Sequence, residues 1–314
     1  MKPRREIAAA IGAVGAVAGA NSALRLLASR LHPPLGRETG TYHWRGINIE
    51  YSEGGDPQDP DLVLLHSIHP AASSREFVRI FDNLTNDFHV IAPDFPGFGR
   101  SARPPLVYSA RLYESFVRDL LVDLTDEPTV IASSLAGAYV SNIAPDLTIE
   151  RLILISPTHA GGSFHHRFAG TFLRLPLVGT AAFNLRTSRF ILNRYFERAL
   201  VLDSESIGTE DRKYFWTTAH QPGARYAPAA LVSGYLDAAG DAPAQLGNLS
   251  IPTTFVCGRE SNVPSLRSVR TFAERSDSKL IVIDRSRSWP HYEQAESFLG
   301  VIEGELAKRQ EGGP

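Results

Sequence analysis

Thr129-Val130-Ile131-Ala132-Ser133-Ser134-Leu135-Ala136-Gly137 is the stretch on which the fold turns. Thr129 to Ala132 is β-branched and apolar, the composition of a strand buried on both faces. A helical stretch follows from Leu135 to about residue 145. A strand that passes abruptly into a helix crowds its own turn, so the turn needs small side chains on either side. Ala132 and Ala136 supply them around Ser134. Taken alone, a serine between small residues at a helix start also suits a plain N-cap.

The same pattern repeats outward. Leu62-Val63-Leu64-Leu65, His89-Val90-Ile91-Ala92, Leu152-Ile153-Leu154-Ile155, Thr253-Thr254-Phe255-Val256 and Leu280-Ile281-Val282-Ile283 are further buried-strand runs. Helices are expected between them at about 74–86, 109–124, 135–145, 264–275 and 293–308. Tyr42-His43-Trp44 and Ile47 to Tyr51 alternate like two antiparallel edge strands, and Gly54-Gly55-Asp56-Pro57 breaks the chain after them. The expectation is a mostly parallel sheet wrapped by helices. Residues 159–245 interrupt the rhythm, with amphipathic stretches such as Phe190 to Phe196 and no convincing strand. A helical lid inserted over the carboxyl ends of the strands is the natural reading. The domains expected are therefore an N-terminal helix at 1–40, a core at 41–158 and 246–314, and the lid.

With its neighbours in place, the Ser134 segment resembles the nucleophile elbow of the α/β-hydrolase superfamily. His66-Ser67-Ile68 follows the first parallel strand, where that superfamily carries His-Gly and an oxyanion-hole amide. Asp94-Phe95-Pro96-Gly97-Phe98-Gly99-Arg100-Ser101 matches its D-x-P-G-x-G-x-S at every specified position. Ile251-Pro252 and Gly258 bracket the strand before the usual acid. Pro290, Glu293 and Glu296 match the segment after the last strand. The resemblance covers about residues 41–158 and 246–308. It implies an α/β-hydrolase fold, Ser134 as nucleophile, and backbone N–H groups of Leu135 and Ile68 as the oxyanion hole. His66 is expected to brace the oxyanion loop by hydrogen bonding.

Three functional positions of that pattern are altered. The acid belongs three residues after Gly258, where Ser261 stands. The histidine belongs two residues before Pro290, where Ser288 stands. The glycine after His66 is Ser67. A serine hydroxyl without a base is a weak nucleophile, and loss of a triad histidine costs on the order of 10⁶ in kcat. His291 or His159 as a displaced base and Glu260 as a displaced acid are the candidate replacements. Each has a plain reading beside it, as a packed or solvated polar residue. His165, His166 and His220 lack the carboxylate or cysteine spacing of a metal site, and Cys257 ends a buried strand as a packed thiol.

Composition bounds the rest. The 314 residues carry a net charge of −2 and no basic stripe interleaved with aromatics, which argues against nucleic acid as a partner. With one cysteine, no intrachain disulfide or thiolate cluster can form. Residues 1–40 are net +4, and Ile7 to Ala20 is an uncharged run of fourteen residues. Three readings fit this start: a helix packed on the body or lying on a membrane surface, with Leu24, Leu27 and Leu31 in one stripe; a membrane anchor; and an export signal headed by Arg4-Arg5. In the first, His32-Pro33-Pro34 ends the helix. The expected location is cytoplasmic, with membrane association through residues 7–31, and an exported form stays open. The expected function is a divergent serine hydrolase acting on a small ester or related carbonyl substrate, without cofactor or metal. Its rival is a non-catalytic binding or scaffold protein that kept the pocket and lost the chemistry.

Overall fold

A computed structural model describes residues 2–28, 31–36, 39–160 and 166–306, with side chains from residue 12 onward. Eight strands form one sheet in the order β1-β2-β4-β3-β5-β6-β7-β8. They are β1 (Thr39–Trp44), β2 (Ile47–Gly54), β3 (Asp61–Leu65), β4 (His89–Pro93), β5 (Thr129–Ser133), β6 (Arg151–Ile155), β7 (Thr253–Gly258) and β8 (Lys279–Ile283). β1 pairs with β2, and β2 with β4, antiparallel; every other pairing is parallel. The helices are α1 (Lys2–Leu27), α2 (Phe81–Leu84), α3 (Ala110–Leu124), α4 (Leu135–Ile143), α5 (Arg167–Arg174), α6 (Val178–Arg186), α7 (Arg189–Tyr195), α8 (Thr209–Ala219), α9 (Tyr226–Val232), α10 (Ala242–Gly247), α11 (Leu266–Arg275), α12 (Pro290–Glu293) and α13 (Ala295–Leu306).

The continuous apolar runs are explained by the two faces of this sheet. Val63, Leu65, Val130, Ala132, Leu152 and Leu154 pack in one cluster with α3, α4 and α11. Their neighbours Leu62, Leu64, Ile131, Ile153 and Ile155 pack in a second with Phe77, Phe81 and α13. Because alternate side chains face opposite sides, both must be apolar.

The helix expected over 74–86 is a single 3₁₀ turn at Ser74–Phe77 followed by the short α2. The turn is drawn inward, since the Ser74 backbone N–H and Oγ both donate to Asp94 Oδ1, at 2.8 and 2.9 Å. The N-terminal helix ends at Leu27, before the His32-Pro33-Pro34 stop. Leu24 and Ala28 pack against the cluster holding Phe196 and Phe215, whereas Leu27 is exposed, so the expected leucine stripe does not pack as one face. Asn21 Nδ2 donates to Leu177 O (3.1 Å) and Asn184 Nδ2 to Asn21 Oδ1 (3.0 Å), which ties α1 to α6. No helix among the described residues is long and apolar enough to cross a membrane.

Between β6 and β7 the described residues form α5 to α10 and turns, with no strand. One buried clasp joins this insertion to the core. Arg75 lies 2.6 Å from Asp211 of α8, donates to Pro34 O at 2.7 Å, and Tyr292 Oη also donates to Asp211.

Candidate active site

Ser134 sits between β5 and α4 with φ 57° and ψ −126°. A non-glycine residue in this region is strained by about 1–3 kcal/mol and persists only where its surroundings hold it. Its N–H donates to Ile155 O of the neighbouring strand at 2.9 Å, and its carbonyl accepts from Gly137 N at 3.1 Å. Ala132 and Ala136 are fully buried, as the crowding of the turn demands.

The D-x-P-G-x-G-x-S loop acts as a brace. Asp94 Oδ2 accepts from Arg100 N at 2.7 Å, while Ser101 Oγ donates to Asp94 O and accepts from Glu50 N. Gly99 has φ +50°, and a Cβ there would fall 2.0 Å from the Asp94 carboxyl carbon, so the loop closes only over a glycine. His66 braces the adjoining loop: Phe95 N donates to its Nε2 at 2.9 Å, which leaves Nδ1 to donate to Ser67 O at 2.7 Å.

A cavity of about 50 Å³ adjoins Ser134 and is lined by Ile68, His69, Leu135, Ser288 and Trp289, with Tyr195 and Leu200 contributed by the insertion. The N–H of Leu135, first in its helix, has no intrahelical acceptor, and neither it nor Ile68 N finds one among the described residues. His69 Nε2 and Trp289 Nε1 are buried there without a partner.

Ser288 and Ser261, at the positions of the family's base and acid, lie beside each other. Their Oγ atoms are 2.9 Å apart, with Pro264 O 2.6 Å from Ser261 Oγ and Val263 O 2.8 Å from Ser288 Oγ. Each hydroxyl has a single hydrogen, so the two carbonyls and the Oγ–Oγ contact share two donors, and neither side chain can take up a proton as an imidazole does.

None of the three candidate replacements lines the Ser134 cavity. His291 is wholly enclosed, with Nε2 3.5 Å from Glu76 Oε1, at ion-pair distance but outside hydrogen-bond geometry. Glu76 Oε2 accepts from Ser67 N at 3.0 Å and from Ser67 Oγ, so the serine that replaces the family's glycine is tied to this buried carboxylate. Burial opposes ionisation of Glu76, yet His291, His66 and Ser67 outweigh it and hold its pKa below the ordinary value. Glu260 accepts from Ser286 N at 3.0 Å. His159 is exposed, stacks on Phe272 at 6.4 Å and borders a different cleft of about 800 Å³. That cleft shares Thr158, Ala160, Val263 and Pro264 with the Ser134 cavity.

The imidazole that does line the cavity, His69, was not legible as a site residue. Its signal was its place three residues after His66, on a loop already assigned to the oxyanion hole. Ala71 N donates to its Nδ1 at 3.3 Å, which assigns the ring proton to Nε2. Burial, reinforced by His66 and opposed by Glu76, lowers its pKa to about 4. At neutral pH it is therefore an uncharged ring with an unpaired N–H donor.

Cys257 and His220 are packed away from the Ser134 cavity. Burial raises the Cys257 thiol, whose Sγ is 3.6 Å from Ser156 Oγ. His220 stacks on Trp216, with Nδ1 2.8 Å from Trp216 O. His165 lies outside the described residues, among which no group of three metal-ligating side chains occurs.

Sheet order, a strained serine at a strand–helix turn and a braced neighbouring loop together define the α/β-hydrolase architecture. The chain belongs to the alpha/beta hydrolase family, whose model matches residues 62–301. An uncharacterized protein of Mycobacterium tuberculosis is 37% identical over 107 residues, which cover 33% of this chain and only 30% of that relative. Among solved structures, an alpha/beta hydrolase fold protein from Burkholderia ambifaria is similar at 20% identity and TM-score 0.71, over 87% of this chain and 98% of that one. A membrane phospholipase A, described as a bacterial virulence factor, is similar at 18% identity and TM-score 0.68, over 98% of this chain and 99% of that one, a span that includes α1. At these identities the structures establish the fold alone.

Proposed function

We propose that the chain is a divergent serine hydrolase that takes a small ester or related carbonyl compound at Ser134 and turns it over slowly. The observation that carries this reading is the set of N–H donors around the cavity: Ile68, Leu135, His69 Nε2 and Trp289 Nε1 lack an acceptor among the described residues. A buried donor left unpaired costs about 1–3 kcal/mol, and a substrate carbonyl oxygen removes that cost. Leu135 and Ile68 would hold the oxygen as charge develops on it, and His69 Nε2–H would add a third donor. Ser134 would attack from its strained position. Its proton has no base of the usual kind to go to, and a route through His291 would have to pass Glu76 and Ser67 behind the oxyanion loop.

A non-catalytic binding role is the second reading, favoured by the Ser261–Ser288 hydrogen bond, which leaves the family's base and acid positions filled and satisfied. Labelling with a serine-directed fluorophosphonate separates the two. Slow labelling that vanishes in Ser134→Ala supports the hydrolase. Rapid labelling lost in His291→Ala means a displaced base and overturns the claim of lost activation. No labelling, together with unchanged binding of a phenyl ester in Ser134→Ala, favours the binding role.

A further inference from the structure

The insertion and the N-terminal helix leave large apolar side chains in water. Phe168 is 94% exposed, Phe190 80%, Leu26 85% and Leu185 69%. They belong to α5, α7, α1 and α6, of which α1 and α5 both pack on α6 and α7 follows α6 after two residues. Phe172, Leu175, Leu177 and Val178 are exposed on the same segment. Soluble surfaces rarely gather so many large apolar groups unless they meet a partner.

Charge identifies the partner. Residues 166–200 hold six arginines against one acidic residue, Glu197, a net +5. With the +4 of residues 1–40, this leaves the remainder of the chain at −11. Positive charge is therefore concentrated on the same segments that expose the aromatic and leucine side chains. Arg167, Arg186, Arg189 and Arg194 are exposed beside Phe168, Leu185, Phe190 and Ile191. Exposed apolar groups with exposed arginines close to them in sequence match an interface whose outer layer is anionic and whose interior is hydrocarbon.

We infer that α1 and the α5–α7 segment form one docking surface for an anionic lipid membrane. The apolar side chains enter the acyl boundary and the arginines meet headgroup phosphates. The surface is distinct from the Ser134 cavity and does not depend on the proposed chemistry. Tyr195 at the end of α7 lines that cavity, so α7 borders both the docking surface and the site.

Sedimentation of the full chain with vesicles tests this. With vesicles of phosphatidylcholine mixed with phosphatidylglycerol, the chain should pellet, and added salt should release it. With phosphatidylcholine alone, binding should be much weaker. Phe168→Ser and Phe190→Ser should each weaken binding roughly tenfold, and Arg167→Glu or Arg186→Glu at least about fivefold. All four side chains are exposed, so an unchanged thermal transition verifies the fold of each variant. Failure to pellet with either vesicle, or equal binding to both, overturns the inference. So does self-association of the full chain that the Phe168→Ser and Phe190→Ser variants abolish, since the face would then join two copies.

Discussion

At Ser134 the backbone is strained, while serines stand where the family carries its histidine and acid side chains. Restoring them is a direct test, because Ser261 and Ser288 are already within 2.9 Å of one another. Ser261→Asp with Ser288→His should raise fluorophosphonate labelling by at least about 10²-fold out of a triad contribution on the order of 10⁶. An unchanged rate would mean that Ser134 itself is out of reach. His69 makes a second prediction. Its folded pKa of about 4 lies below the ordinary histidine value of about 6.5. Between these values the unfolded chain binds the extra proton, so stability falls as pH drops from about 6.5 to about 4 and levels off below. The full loss is about 3 kcal/mol. Urea unfolding at the two ends of that window should show the fall shrinking in His69→Gln.

The elements differ in how much of their sequence is committed to the core. β5 and α4 are buried almost throughout, whereas, among the described side chains, Asn21 and Leu24 of α1 and Ala28 just after it touch the body. A chain beginning at Leu31, which keeps Pro34 and the buried Leu35, should therefore keep a cooperative thermal transition, and loss of that transition would place α1 in the core. The loop after β4 is the opposite case. Gly99→Ala puts a methyl group into the Asp94 carboxylate and a side chain at φ +50°. It should destabilise the fold by about 2–4 kcal/mol, read by chemical denaturation.

For the molecule as a whole, the insertion is held to the core by the buried Arg75–Asp211 pair with Tyr292. Removing one partner of a buried pair leaves an uncompensated charge and costs about 3–5 kcal/mol. Arg75→Met should lower thermal stability, and limited proteolysis should cut first within residues 166–247. First cleavage between β3 and β6 would show instead that the clasp holds the core.

The strands, their burial on both faces and the Ser134 turn could be read from the sequence, because a two-sided sheet imposes apolar continuity and a crowded turn imposes small residues. The serines at the counted positions of the family's acid and base were equally legible, since Ser261 and Ser288 follow from counting along the chain from Gly258 and Pro290. What only the tertiary structure decided is which polar groups meet. Glu76 and His291 are 215 positions apart and form a buried pair behind the loop after β3. Ser261 and Ser288 lie with their Oγ atoms 2.9 Å apart although 27 positions separate them, and His69 is the imidazole that lines the cavity. Local spacing sets the periodicity of an element and so its faces. The partner of a buried polar side chain is set by how distant elements pack, and no local pattern encodes that.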